Sequence, residues 1–268
     1  MSRLSDAFSK ASEKPIFIPF ITAGDPNEET TIDLALALQE VGAQVLELGI
    51  PYSDPLADGP VIQKASLRAL EGDMTLKKAM ALVPAMRDKG VKIPIICFTY
   101  YNLLLQLGED QFIQEAVEKD LDGVLVPDLP FEESGSLREK CQKAGLSLIS
   151  LVAPTTSEKR LQKIGEAADG FLYCVSSLGV TGVRQQFHND VFHFLERVRN
   201  STEAPIAVGF GISSREQVET FKDYCDGFIV GSAIVREVEA RVDRLKKEVD
   251  RPKAIEEIKD TLLTKFFS

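Results

Sequence analysis

The fold is clearest at residues 46–63, which have the sequence LELGIPYSDPLADGPVIQ. A short apolar strand candidate at residues 44–49 is followed by a loop with prolines and then by a helical stretch at about residues 61–70. A strand that leads into a helix is the repeating unit of parallel sheets, because the helix carries the chain back to the start of the next strand. This unit predicts an α/β protein.

The same unit recurs along the whole chain. The chain has 268 residues, and an eight-unit α/β barrel takes about 250. We therefore predict a single domain, residues 1–268, folded as one (β/α)8 TIM barrel. An extra N-terminal helix is expected near residues 3–12 and an extra helix after strand 2, at residues 76–89. The strand candidates are residues 16–22, 44–49, 93–99, 123–126, 147–152, 170–175, 205–208 and 227–230.

Composition and charge exclude several classes of protein. Hydrophobic residues make up 44% of the chain and charged residues 27%, which is ordinary for a globular enzyme. The net charge of −10 is unfavourable for binding nucleic acid or an anionic membrane surface, since both attract positive charge. No stretch approaches the roughly 18 apolar residues of a membrane span. The four cysteines include no C-x-x-C pair and predict reduced thiols in a cytoplasmic protein.

Glu47 is a carboxylate inside an apolar strand. Successive side chains of a strand point to opposite faces, so Glu47 points away from the side of Leu46 and Leu48. In a barrel this direction is inward, near the C-terminal mouth where such folds have their active sites. Burial raises the pKa of a carboxyl group, so Glu47 could hold a proton near neutral pH and act as general acid and base. The alternative is a structural carboxylate bonded to neighbouring N–H or hydroxyl groups.

Asp58 lies eleven residues after Glu47, beyond two prolines. Prolines restrict the loop and could hold this second carboxylate over the same cavity. Asp54 and Asp58 fit turn or cap positions equally well, because Asp commonly bonds its own backbone in turns. The residues alone leave both interpretations open.

Glycine-rich loops after the last strands predict an anion site. Residues 209–213 follow strand 7, residues 231–232 follow strand 8 and open a helix, and residues 179–182 follow strand 6. Glycine lets the backbone approach a phosphate closely, and a helix start offers free N–H groups. Barrels often bind a phosphate with the loops after strands 7 and 8. We therefore predict a phosphate site there.

Two further features suggest a covered pocket. Residues 176–189 are long for a connection from strand to helix, which is typical of a lid, although a surface loop is the alternative. Phe20, Tyr100 and Phe210 lie at strand ends, where they could form an apolar slot for a planar ring. Ordinary core packing is the alternative for each ring.

The run at residues 46–63 closely resembles the signature of the tryptophan synthase alpha chain family. Residues 19–26, 179–182, 209–213 and 231–235 are also similar to family motifs and occur in the expected order. The resemblance covers essentially the whole chain, and the strand 2 motif is long and specific.

This resemblance implies a lyase of tryptophan biosynthesis that cleaves indole-3-glycerol phosphate into indole and glyceraldehyde 3-phosphate. It also implies a beta chain as partner, which uses pyridoxal phosphate to join indole to serine. The two chains would form an αββα complex with an internal tunnel for indole. No cofactor is expected in this chain.

The resemblance also implies roles for individual residues. Glu47 would be the proton shuttle, an acid at indole C3 and a base at the adjacent glycerol hydroxyl. Asp58 would bind the indole N–H and stabilise the positive charge that develops on the ring nitrogen. Pro51 and Asp54 would face the beta chain. The other expected contacts are Phe20, Tyr100, Leu125, Tyr173, Thr181 and Phe210 for the substrate, and Gly182, Gly211, Gly231 and Ser232 for its phosphate. Ser177 departs from the family, because other members can carry Arg there.

Three other functions stay open. Another phosphate-binding barrel, such as an indole-glycerol phosphate synthase or a ribose-phosphate isomerase, relies on different groups, often a lysine at a strand end. The nearest lysine, Lys64, is already in the following helix. A non-catalytic subunit that only activates a beta chain would not need two placed carboxylates. A stand-alone lyase that releases indole without a partner is the third alternative.

Overall fold

A parallel β-barrel forms the centre of the molecule. The computed structural model describes residues 2–11, 14–175, 189–209 and 211–267. Within these ranges each strand pairs in parallel with the next, and β1 pairs with β8, so the sheet closes. The predicted TIM barrel is confirmed. The strands are β1 (Ile16–Thr22), β2 (Leu46–Gly49), β3 (Ile95–Phe98), β4 (Gly123–Leu125), β5 (Ser147–Val152), β6 (Leu172–Val175), β7 (Ile206–Gly209) and β8 (Gly227–Val230).

Helices connect the strands and cover the barrel. Both predicted extra helices are present: α1 at the N-terminus and α4, which follows α3 between β2 and β3. The helices are α1 (Arg3–Ser9), α2 (Glu28–Val41), α3 (Pro60–Glu71), α4 (Leu76–Lys89), α5 (Tyr101–Leu107), α6 (Glu109–Glu118), α7 (Gly135–Ala144), α8 (Glu158–Glu166), α9 (Asn189–Ser201), α10 (Arg215–Phe221), α11 (Ser232–Glu239), α12 (Val242–Leu245) and α13 (Arg251–Phe266).

The sequence pattern missed one helix, α5. It begins directly after Tyr100 and is separated from α6 by Gly108 alone, which has a positive φ of 88°. Seven residues are too few to show a clear helical repeat of apolar positions, so the pattern gave no signal. The helical stretch after β8 is divided into α11 and α12. Strand ends differ from the predictions by one or two residues, as is usual for element boundaries.

Strand alternation divides the hydrophobic residues into two layers. The barrel interior is filled by one set, including Ile18, Val45, Ile96 and Leu125. The larger set on the outer face packs between strands and helices. Because side chains alternate between the two faces of a strand, each strand contributes residues to both layers.

Helix α1 closes the N-terminal end of the barrel. Leu4 and Phe8 belong to the interior cluster, and the ring centroids of Phe8 and Phe171 are 5.4 Å apart. Arg3 fixes the helix by donating to Asp122 at 2.6 Å and to Asp120 at 2.5 Å. The C-terminal end of the barrel is thus left as the accessible mouth.

The four cysteines are Cys97, Cys141, Cys174 and Cys225, all free and buried. Among the described residues, no helix has the length and apolar character needed to cross a membrane. In the same ranges, no group of three or more His, Cys, Asp or Glu side chains is arranged to hold a metal ion.

Candidate active site

Glu47 lies on β2, on the face that points into the barrel. It pairs with Phe20 of β1 and Ile96 of β3, and Ile96 belongs to the interior cluster. The Glu47 side chain is completely buried, and neither carboxyl oxygen has a hydrogen-bond partner among the described residues. Burial without compensation raises the pKa of Glu47 to about 8. The inward orientation predicted from strand alternation is therefore seen.

Missing side chains make room for rings around Glu47. A Cβ at Gly49 would overlap the ring of Phe20, and a Cβ at Gly209 would lie 2.6 Å from the ring of Tyr173. Gly231 also lies against Phe20, since a Cβ there would be 3.5 Å from the Cβ of that residue. These three glycines lie at strand ends. At the mouth, aromatic rings therefore pack directly against backbone that carries no side chain.

Asp58 is held by a tyrosine from the next connection. The Tyr100 hydroxyl donates to Asp58 Oδ2 at 3.0 Å and accepts the Ala57 N–H at 3.0 Å. The ring of Tyr100 in turn stacks on Tyr52, with centroids 4.9 Å apart. Burial raises the pKa of Asp58 to about 6, and the hydrogen bond from Tyr100 opposes part of this rise. The loop after β2 is therefore tied to the start of α5.

Tyr173 packs against the interior cluster of the barrel, near both carboxylates. Its pKa is raised well above the usual value, first by burial and then by the negative charges of Glu47 and Asp58. A charge effect from both residues means that the phenol lies near both. The resemblance implied a substrate contact for Tyr173, and that role stays a prediction.

Apolar groups complete the wall on the side of β1 to β4. Phe20 and Phe98 meet edge to face, with centroids 5.5 Å apart, and Leu125 pairs with Phe98 in the sheet. Ile62 of α3 packs with Phe20. Sequence reasoning missed Phe98 and Ile62. Alternation along β3 was a signal for Phe98, whereas the position of Ile62 depends on how α3 packs.

Two of the predicted phosphate-binding glycines, Gly211 and Gly231, follow the ends of β7 and β8. Gly211 has a positive φ of 66°, and Gly231 is the N-cap of α11, whose first residue is Ser232. The first turn of a helix leaves N–H groups available to an anion. Thr181, Gly182 and Phe210, like Ser177 and the rest of the expected lid at 176–188, lie outside the described residues.

The two expected partner-facing residues belong to the loop after β2, which also carries Asp58. Asp54 is exposed, and its carboxylate accepts a hydrogen bond from Ser53 at 2.7 Å. Pro51 is buried at the base of the same loop. Leu56, between Asp54 and Asp58, has 89% of its surface exposed. One loop thus carries Asp58 on its inner side and an apolar side chain on its outer side.

A buried ion pair that sequence reasoning missed supports the loops. Arg68 of α3 donates two hydrogen bonds to Asp25, at 2.7 and 2.9 Å, and lies 3.6 Å from Glu239 of α11. Asp25 follows β1 closely, α3 begins two residues after Asp58, and α11 begins at Ser232. This pair therefore joins three elements whose ends line the mouth.

Comparison with known proteins agrees with this geometry. The sequence model of the tryptophan synthase alpha chain family matches residues 7–262. The chain belongs to the tryptophan synthase alpha chain family. Members of this family are lyases that cleave indole-3-glycerol phosphate, act with a beta chain in tryptophan biosynthesis and carry no cofactor of their own.

Individual relatives cover almost the whole chain. The tryptophan synthase alpha chain of Geobacillus thermodenitrificans is 60% identical over 244 residues, which are 91% of each chain. That of Bacillus subtilis is 56% identical over 249 residues, 93% of this chain and 92% of the relative.

Solved structures show the same fold. The Legionella pneumophila alpha subunit has a TM-score of 0.85 at 35% identity, over 98% of both chains. A chain from the tryptophan synthase a2b2 complex of Pyrococcus furiosus has a TM-score of 0.82 at 36% identity, over 93% of this chain and 96% of that one.

Proposed function

We propose that this chain cleaves indole-3-glycerol phosphate to indole and glyceraldehyde 3-phosphate, with Glu47 as proton shuttle and Asp58 as the carboxylate at the indole nitrogen. The observation that carries this proposal is the surroundings of the two carboxyl groups: Glu47 is fully buried on the inward face of β2, and Asp58 in the following loop accepts a hydrogen bond from the Tyr100 hydroxyl. Near pH 7, a pKa of about 8 keeps Glu47 mostly protonated, and a pKa of about 6 leaves Asp58 mostly ionised. Separate environments thus provide one acid and one anion.

The reaction is a retro-aldol cleavage. Glu47 gives its proton to C3 of the indole ring, and positive charge develops on the ring nitrogen beside Asp58. The Glu47 carboxylate then removes the proton of the glycerol hydroxyl next to the ring. That oxygen forms a carbonyl, the bond to C3 breaks, and its electron pair returns to the ring and neutralises the nitrogen. Glu47 ends protonated, so the cycle needs no further reactant.

The other expected site residues bind the ring and the phosphate of the substrate in this proposal. The indole ring would lie between the aromatic and apolar groups of the mouth, and the phosphate would bind the backbone at the ends of β7 and β8. The substrate contacts are Phe20, Tyr100, Leu125, Tyr173, Thr181 and Phe210, and the phosphate contacts are Gly182, Gly211, Gly231 and Ser232.

The beta-chain partner is expected to complete an αββα complex and to hold the pyridoxal phosphate that consumes indole. The exposed outer side of the loop after β2, with Asp54 and Leu56, supports a partner contact there, with Pro51 at its base. We also propose one domain over residues 1–268 and a cytoplasmic location, which the four free cysteines support.

Indole release from indole-3-glycerol phosphate tests the proposal. The purified chain would be assayed alone and with a beta chain, and Glu47→Gln would be the matched variant, because it keeps the size of the side chain and removes its proton transfer. We expect slow release that rises with the beta chain and falls by about 10³-fold or more in the variant. Fast release without a partner would favour a stand-alone lyase. Stimulation of beta-chain activity without indole release would favour a non-catalytic activating subunit.

A further inference from the structure

Two threonines share with Glu47 an unusual property. Across the described part of the chain, the buried side-chain oxygens without a hydrogen-bond partner belong to Thr22, Glu47 and Thr99. A buried hydroxyl without a partner costs free energy, so such groups are uncommon in folded proteins and need a reason. A ligand that supplies the missing partner is one such reason.

Thr22 is placed on the same face as Glu47. Phe20 of β1 pairs with Glu47 of β2, and Thr22 pairs with Gly49. Phe20 and Thr22 are two residues apart in β1, as are Glu47 and Gly49 in β2. Because side chains alternate along a strand, Thr22 lies on the inward face, one layer nearer the C-terminal mouth than Glu47. Only 3% of the surface of Thr22 is exposed. Its hydroxyl is therefore a buried donor on the same face of the sheet as a buried carboxyl group.

Thr99 serves as the natural comparison. It follows Phe98, which shares the inward face with Ile96, so alternation places Thr99 on the outward side with Cys97. Thr99 is completely buried, and its hydroxyl also has no partner among the described residues. The described residues thus include one such hydroxyl on the inward face and one on the outward face.

We propose that Thr22 contacts the substrate, and that its hydroxyl donates a hydrogen bond to the glycerol oxygen from which Glu47 removes a proton. This inference rests on the proposed cleavage reaction. A substrate hydroxyl between the two groups would donate to one Glu47 oxygen and accept from Thr22. The Thr22 hydroxyl and one Glu47 oxygen would then both find their missing hydrogen-bond partner in the same substrate hydroxyl.

The chemical benefit arises during proton removal. As Glu47 takes the proton, negative charge grows on the glycerol oxygen until the carbonyl forms and the bond to indole C3 breaks. A fixed donor directed at that oxygen stabilises the charge, and it does so more effectively in a buried site than in solution. The Thr22 proton stays on Thr22 throughout, so the balance of the reaction is unchanged.

The test compares Thr22→Val with Thr22→Ser and with Thr99→Val. Valine keeps the shape of threonine without the hydroxyl, and serine keeps the hydroxyl. We expect Thr22→Val to lower kcat for indole release by about 100-fold, as removal of a donor to a developing oxyanion does. Its melting temperature should stay equal or rise, because an unpaired buried hydroxyl is lost. Thr22→Ser should keep kcat within about fivefold.

Thr99→Val should also keep or raise the melting temperature, and it should leave kcat unchanged. A wild-type kcat in Thr22→Val would overturn the assignment. So would a low kcat accompanied by a falling melting temperature and no recovery in Thr22→Ser, since that pattern indicates a packing role. If Thr22→Val does not fold, Thr22→Ala measured against Thr22→Ser makes the same comparison. Absence of indole release from the wild-type chain would instead reject the cleavage reaction itself, and the assignment with it.

Discussion

Glu47 and Asp58 carry the same functional group in different surroundings. Glu47 is fully buried and its carboxyl oxygens have no partner in the described ranges, so desolvation alone acts on its pKa. Asp58 is also desolvated, but a phenol donates to it and favours the charged form. The difference between the two pKa values therefore comes from the depth of burial, from one hydrogen bond and from the lower ordinary pKa of Asp.

This difference predicts a bell-shaped pH profile for kcat/KM. Activity requires ionised Asp58, so it should fall as pH drops through about 6, and it requires protonated Glu47, so it should fall as pH rises through about 8. Asp58→Asn should lower the plateau and remove the acid limb while keeping the alkaline limb. The exposed carboxylate of Asp54 provides the control, since Asp54→Asn should keep both limbs. An acid limb that persists in Asp58→Asn would assign that limb to another group.

At the scale of elements, the loop after β2 depends on α5. The Tyr100 hydroxyl, at the start of α5, bonds the Ala57 N–H and the Asp58 carboxylate together. The loop has its own turn bond from the Asp58 N–H to the Pro55 carbonyl at 3.2 Å. The turn that positions Asp58 within the loop therefore depends on residues close in sequence. The attachment of the loop to the barrel mouth depends instead on Tyr100, which belongs to the connection after β3.

Tyr100→Phe should loosen Asp58 and make it a weaker acid. Loss of the donor removes the interaction that lowers the pKa of Asp58, so the acid limb of kcat/KM should move to higher pH. Because Asp58 is also less well positioned, we expect kcat/KM at pH 7 to fall by about tenfold, the size of one charged hydrogen bond. The matched control is Tyr101→Phe, whose hydroxyl donates to Glu109 instead. An unmoved acid limb in Tyr100→Phe would show that the phenol does not control Asp58.

The whole molecule separates stability from activity along the barrel axis. Helix α1 closes the N-terminal end with Leu4 and Phe8, and the carboxylates lie toward the C-terminal end. TIM barrels generally divide these tasks between their two faces.

Phe8→Ala should therefore destabilise the protein without changing its chemistry. Phe8 is 2% exposed, and truncation of a buried aromatic ring costs about 3–5 kcal/mol. Urea unfolding would measure this loss, and kcat well below the melting temperature should stay within about twofold of the wild type. Phe267→Ala is the control, because Phe267 is 40% exposed and should cost less. A kcat loss in Phe8→Ala as large as in Glu47→Gln would contradict the separation.

Assembly belongs to the same scale. Asp54 and Asp58 share one loop, so a partner that binds its outer side could adjust the carboxylate on its inner side. Asp54→Ala should weaken stimulation by a beta chain much more than it lowers the basal rate of indole release. The two rates would be measured with and without saturating beta chain. Equal losses in both would remove Asp54 from the route of activation.

The amino-acid sequence alone was sufficient to predict the barrel fold and the inward direction of the Glu47 side chain. Eight apolar strands that each precede a helix specify a closed parallel sheet, because the hydrophobic periods of strand and helix are local properties of the chain. Alternation within β2 gives the orientation of Glu47 for the same reason. The likeness of residues 46–63 to a family motif supplied the role of Asp58, which its own residues left open between a turn and a site.

Contacts between distant residues were decided by the tertiary structure. Tyr100 meets Asp58 across 42 positions, Arg68 meets Asp25 across 43, and Thr22 comes to lie above Glu47 through the register of β1 and β2. Such pairs leave no periodic pattern in the sequence, since they depend on how strands and loops close around the barrel axis. The sequence therefore determined which elements form and which way they face, and only their packing decided which side chains have partners and which buried groups do not.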